Sequence, residues 1–155
     1  MPEDRAFNNY LIDEILEIVK NWAEIRSEIL ALALVGSYAR GEATADSDID
    51  LMLIAYNTEF FRQNYDWMYE INWESINYKI LTFDDAQYGA VWSRHIYLNR
   101  YKTKYSTNLK IEISFGLPRW ASIDPIDSGT FAVVSRGCKI LYDSQGILTN
   151  LMSKL

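Results

Sequence analysis

Apolar residues recur at spacings of three and four near the start of the chain: Leu11, Ile12, Ile15, Leu16, Val19, Trp22, Ile25 and Ile29. Asp13, Glu14, Glu17, Glu24 and Glu28 fill the intervening positions. That period is the helical one, and it predicts an amphipathic helix over about residues 9–30 with one face for a core. The pattern then changes. Ala31, Leu32, Ala33, Leu34 and Val35 form a short apolar run that stops at Gly36. Alanine and leucine alone would suit a helix, but the abrupt stop at Gly36 and Ser37 predicts a buried strand. Ser37 to Glu42 reads as one turn of helix that starts near Ser37 and breaks at Gly41. Thr44 to Ser47 reads as a polar loop. Ile49 to Ala55, apolar apart from Asp50, has the pattern of a central strand covered on both faces.

Further on, residues 58–70 predict a second helix rich in Phe, Trp and Tyr, residues 76–83 a strand, and Asp84 to Gly89 a helical turn. Tyr97, Tyr101 and Tyr105 alternate with Leu98, Arg100, Lys102 and Lys104. Leu109, Ile111, Ile113 and Phe115 alternate with Lys110, Glu112, Ser114 and Gly116. With Ser106 to Asn108 between them, these runs predict a β-hairpin with one apolar and one polar face. The remainder reads as helix over 129–136, a strand over 139–142, a turn from Asp143 to Gly146 and a last helix. Neither repeats nor a linker divide the 155 residues, so one domain over 1–155 is expected.

Composition narrows the function classes. A formal net charge of −6 gives the chain no general attraction to nucleic acid, which disfavours a DNA- or RNA-coating role. A nucleotide substrate stays open, because bound divalent cations can supply positive charge. Cys138 is the single cysteine and cannot form an internal disulfide, which fits a reducing compartment. No basic leader with an apolar core and no run of about 20 apolar residues is present, so the expectation is a cytoplasmic protein without membrane contact.

The segment from Leu34 to Leu51 carries the chemistry. A strand ends at Gly36, where no side chain obstructs a ligand. A helical turn then begins at Ser37, and helix starts present free N–H groups that suit phosphate. Asp48 and Asp50 stand two apart at the head of the next strand, so both face one side with Cα atoms roughly 6–7 Å apart. Two carboxylates in one space need a cation or a shared proton. Hard oxygen ligands favour magnesium or manganese over zinc. Such an ion can bridge phosphates, orient an attacking hydroxyl and neutralise leaving pyrophosphate.

The run Gly36-Ser37-Tyr38-Ala39-Arg40-Gly41-Glu42, followed by Ser47-Asp48-Ile49-Asp50, resembles the signature of the polymerase-beta-like nucleotidyltransferase superfamily, closest in style to its minimal nucleotidyltransferase domains. The resemblance covers about residues 31–55. It implies an α/β (α+β) fold, a small mixed β-sheet with helices packed on it. It also implies transfer of a nucleoside monophosphate from a nucleoside triphosphate, ATP in the first instance, to a hydroxyl acceptor, with two Mg²⁺ (or Mn²⁺) ions. Asp48 and Asp50 would be catalytic metal ligands, and Gly36, Ser37 and Arg40 would bind nucleotide. The family carries a third carboxylate on a later strand. Asp84 and Asp85 compete with Glu112 for that place; Glu112 is preferred for its fixed strand position, as ligand, general base or both. Relatives of this size complete an acceptor pocket with a second domain or a dimer. Others resemble antitoxins that bind, and sometimes adenylylate, a HEPN-class protein, so such a partner or a homodimer is an alternative expectation.

Several residues have plainer readings. His95 pairs with no recognisable nucleophile and reads as a structural or surface residue. Arg100, Lys102 and Lys104 read as a solvated basic edge. Trp67, Tyr69, Trp73, Tyr78 and Trp92 read as core, while Tyr38 or Trp120 could stack on a base.

Overall fold

The structure is a computed structural model that describes residues 2–44, 46–101 and 108–155, with side-chain surroundings from Tyr10 onward. Its centre is one six-stranded mixed sheet. In chain order the strands are β1 (Ile29–Val35), β2 (Ile49–Ala55), β3 (Tyr78–Tyr88), β4 (Val91–Arg100), β5 (Asn108–Gly116) and β6 (Lys139–Asp143). Their spatial order is β3-β4-β5-β2-β1-β6. Among the described residues only β2 and β5 pair in parallel, and the other neighbours are antiparallel. The mixed sheet with packed helices is the α+β architecture expected for a nucleotidyltransferase.

One face of the sheet carries the larger core. Helix α1 (Pro2–Glu24) lays Ile12, Ile15, Leu16, Val19 and Trp22 against Ile49, Leu51 and Leu53 of β2 and Ile111, Ile113 and Phe115 of β5. The helix ends earlier than its periodicity predicts. Ile25 is 83% exposed and Ile29 already belongs to β1. The chain turns between them, with the N–H of Ile29 donating to the Arg26 carbonyl, and Arg26 is clamped by Glu28 and Glu70. The opposite face is covered in part by α5 (Ser128–Val134), α6 (Ile147–Ser153) and the turn Pro118–Ala121 over β1 and β2.

The predicted helix over 58–70 is two short helices, α3 (Thr58–Gln63) and α4 (Trp67–Glu70). Arg94 explains the break. Its guanidinium donates to the carbonyls of Phe61, Arg62 and Asn64, and the indole of Trp67 also donates to the Phe61 carbonyl. Those acceptors are therefore taken by side chains instead of the next helical turn. Arg94 is fully buried, held at 2.7 Å by Asp85 and faced by the rings of Phe83, Trp92 and Trp67.

Asp84 to Gly89 is no helical turn either. Residues 84–88 continue β3 and pair with β4 about a turn at Gly89 and Ala90. The later hairpin is present as β4 and β5. Ser106 and Thr107, expected in its turn, lie outside the described residues with Tyr105, Lys102 and Lys104. On β4 the core positions are Trp92, Ile96 and Leu98, while Tyr97 lies on the other face. Of the five aromatics read as core, four are buried and Tyr69 is exposed. Among the described residues no helix is long and apolar enough to cross a membrane.

Candidate active site

Strand alternation builds the floor of the site. Ile49, Leu51 and Leu53 point into the larger core, so Asp50 lies on the other face with Met52 and Ile54. The same alternation on β5 sends Ile111, Ile113 and Phe115 to the core and leaves Lys110, Glu112 and Ser114 on the face of Asp50. In the parallel ladder Asp50 is the direct partner of Glu112. Of the three carboxylates compared for the third place, Glu112 stands beside Asp50, Asp84 is hydrogen-bonded to His95, and Asp85 is engaged by Arg94.

Gly36 permits a close approach from the end of β1. Its φ is +74°, and a Cβ placed there would lie 2.2 Å from Asp50 Oδ2. Glycine is therefore required both by the backbone and by the carboxylate above it. Helix α2 (Gly36–Arg40) follows, ended by Gly41 in the left-handed conformation. Burial first, then the hydrogen bond and charge of Glu112, then the charge of Asp48, push the Asp50 carboxyl up to about 7, with Lys110 opposing. Two adjacent carboxylates on a half-buried floor hold a proton in common when no cation is present.

Asp48 does not join that pair directly. Its Oδ2 lies 3.2 Å from Nζ of Lys110. Burial works against the charge on Lys110, yet the hydrogen bond and charge of Asp48 raise its pKa, with Tyr97 and Glu112 adding to the effect. The carboxylates present the hard oxygen donors that suit magnesium. Among the described residues no three Asp, Glu, His or Cys side chains already converge as a ready metal cage. The donor chemistry fits a divalent cation, with Asp50 and Glu112 together and Asp48 tethered nearby.

His95, expected to be a structural or surface residue, is buried within the sheet with a carboxylate at each ring nitrogen. Asp84, His95, Glu112 and Asp50 are successive cross-strand partners on β3, β4, β5 and β2. Nδ1 of His95 is 2.7 Å from Asp84 Oδ1, and Nε2 is 3.3 Å from Glu112 Oε1. The hydrogen bond from His95 holds the Asp84 carboxyl below its ordinary range. Reading Gly89 and Ala90 as a hairpin turn would have exposed the Asp84–His95 pairing, because the two residues are equidistant from it.

A cavity of about 300 Å³ opens over this floor. Gly36, Arg40, Asp50 and Glu112 line it, joined by Trp120 and Arg136; Ser37 and Asp48 are not part of its lining. Arg40 is hydrogen-bonded to Glu42 at 3.1 Å. Of the two aromatics considered for base stacking, Trp120 lines the cavity, whereas Tyr38 packs partly against the larger core. Arg136 carries no local motif that would have singled it out.

A model of the nucleotidyltransferase domain family matches residues 12–91, which is more than half of the chain and includes Gly36, Ser37, Asp48 and Asp50. The chain belongs to that family. Two curated relatives from Methanocaldococcus jannaschii are similar over shorter stretches. Each is described as a "putative protein adenylyltransferase". One is 42% identical over 57 residues, 35% of this chain and 52% of the relative. The other is 39% identical over 54 residues, 35% of this chain and 35% of the relative. The matches thus span about half the length of the first relative and about a third of the second. Glu112, His95 and Arg136 lie beyond the family match, and their place rests on the sheet geometry.

Proposed function

We propose that the chain transfers a nucleoside monophosphate, from ATP in the first instance, to a hydroxyl acceptor, with Asp50 and Glu112 as the centre of the site. The adjacency of Asp50 and Glu112 on parallel strands beneath the cavity, with Gly36 leaving room for the carboxylate, is the observation that supports this reading. Two Mg²⁺ ions would be held by Asp50, Glu112 and Asp48, the last after release from Lys110. Bound there, magnesium supplies charge neutralisation to the phosphates and to the attacking oxygen.

The chain's own residues divide the remaining work. Gly36 keeps the approach to Asp50 clear. Ser37 and Arg40 hold phosphate oxygens, and Trp120 offers an apolar face to the base. Glu112, steadied by His95, stands where it can accept the proton of the acceptor hydroxyl. The hydroxyl oxygen bonds to the α-phosphorus, the bond to the β-phosphate breaks, and pyrophosphate leaves with the electron pair.

The description of both relatives as adenylyltransferases of proteins favours a protein hydroxyl over a small molecule as acceptor. In that reading the acceptor surface comes from a partner, such as a HEPN-class protein, or from a second copy of this chain. The test is transfer of label from α-³²P-ATP to protein in extract of the source cells, supplied with the purified chain and Mg²⁺. Labelled protein bands that disappear with chelator and with Asp50→Asn support the reading. Label that persists in Asp50→Asn contradicts it.

A further inference from the structure

Arg136 is exposed and follows α5, 96 positions after Arg40 in sequence, yet both residues line the same cavity. The contact that brings them together is specific. Gly137 has φ +151°, and a Cβ there would lie 3.1 Å from the Ala39 carbonyl oxygen and 3.2 Å from Arg40 Cγ. The absence of a side chain, at a backbone conformation that favours glycine, lets this turn rest on the end of α2 without displacing it. The turn is fixed on its other side by the Gly137 N–H, which donates to the Val134 carbonyl.

The charges around the cavity then make sense together. Its lining is acidic at Asp50 and Glu112, and it also includes two arginines, Arg40 and Arg136. Arg40 has one exposed partner, Glu42, while Arg136 makes no ion pair or hydrogen bond among the described residues. An exposed arginine is ordinarily a solvated surface charge. Arg119 is such a residue: it is exposed, equally unpaired among the described residues, and absent from the cavity lining. Arg136 differs in location. Two like charges facing one space favour an anion that carries several oxygens, and guanidinium forks bind phosphate with two parallel hydrogen bonds.

We propose that Arg136 is a triphosphate-binding residue that acts with Arg40 on the β- and γ-phosphates of the incoming nucleotide. The assignment rests on the nucleotidyltransferase reading above and extends it to a residue outside the signature. As the α-phosphorus bonds to the acceptor oxygen and the bond to the β-phosphate breaks, negative charge gathers on the departing pyrophosphate. Arg136 and Arg40 are placed to hold that group.

The test is calorimetric titration of ATP with Mg²⁺ into the wild-type chain, Arg136→Gln, Arg136→Lys and Arg119→Gln, with melting temperatures measured in parallel. Loss of a charge-assisted phosphate contact predicts ATP binding at least tenfold weaker in Arg136→Gln. Arg136→Lys should fall between, and Arg119→Gln should match the wild type, since it loses the same charge elsewhere. Equal affinities in Arg136→Gln and Arg119→Gln overturn the assignment and leave the nucleotide reading standing. A well-folded wild type that binds no ATP removes both.

Discussion

Asp50 of β2 and Glu112 of β5 face each other directly across the one parallel ladder of the sheet. Burial and the neighbouring carboxylate push Asp50 up to about 7, against an ordinary value of 3.8. The folded chain therefore keeps a proton that the unfolded chain has already released. This contribution to stability is complete below about pH 4 and is lost as pH rises through about 7. The melting temperature of the metal-free protein is expected to decline over that window. In Asp50→Asn the decline should be shallower. A wild-type profile that rises between pH 5 and 8, with the variant's unchanged from it, would count against a shared proton.

The same pair predicts how Mg²⁺ binds. An ion needs Asp50 ionised, so affinity should climb with pH up to about 7 and level off above it, with protons released on binding at pH 6. Calorimetry in two buffers of different ionisation enthalpy reads that release directly. Binding that is independent of pH from 5.5 to 8.5 would place the ion elsewhere.

His95 touches Glu112 through Nε2 while Asp84 fixes Nδ1. A neutral imidazole that donates to Asp84 needs a proton on Glu112 to complete the second contact, and only a doubly protonated ring can donate to both carboxylates. We assign His95 a positioning role. His95→Ala should lower kcat by about 10- to 100-fold, the usual cost of removing a residue that orients a ligand, with KM for ATP little changed. His95→Gln, which can still reach Glu112, should recover part of the loss. A change confined to KM would argue against positioning.

Gly36→Ala places a Cβ on the Asp50 carboxylate and puts alanine at φ +74°. The left-handed backbone alone costs about 1–2 kcal/mol, and the carboxylate must also move. Both the melting temperature and metal-dependent ATP binding should fall. By contrast, Gly146→Ala also has positive φ but meets no atom within 4 Å, so it should lose stability without losing ATP binding. Equal effects of the two variants on ATP binding would show that the Gly36 contact has no role in the site.

Arg94 is the structural counterpart of the site residues on β4. It is fully buried while Asp85 is exposed, so removing Arg94 leaves the carbonyls of Phe61, Arg62 and Asn64 without their donor, at about 1–3 kcal/mol for each that stays buried and unpaired. Arg94→Met should accordingly lower stability far more than His95→Gln, although the residues are adjacent. Denaturant unfolding of the two variants makes the comparison. A smaller loss in Arg94→Met would contradict the role of this side chain in ending α3 and holding β3.

Much of the floor was legible in the chain. The run Ile49–Ala55, apolar apart from Asp50, shows a strand covered on both faces, and alternation in Leu109–Phe115 assigns Glu112 to the polar side. The ends of elements were less legible, because tertiary contacts decide them. Arg94 takes the carbonyls after Phe60, so the aromatic helix breaks, and a cross-strand ladder draws Asp84 to Tyr88 out of an apparent turn. His95 was hidden by that second effect: with residues 84–89 read as a helical turn, the Gly89–Ala90 hairpin that pairs it with Asp84 goes unread. Arg136 was hidden by distance, its approach to α2 depending on a glycine that reads only as a helix stop.

The most direct measurement is calorimetric titration of ATP into the wild-type chain and Asp50→Asn, each with and without Mg²⁺, with both proteins shown to be folded by thermal melting. The account predicts ATP binding that requires Mg²⁺ in the wild type and is lost in Asp50→Asn. ATP binding of equal strength in the two proteins, or none to a folded wild type, would contradict a nucleotide site built on Asp50 and Glu112.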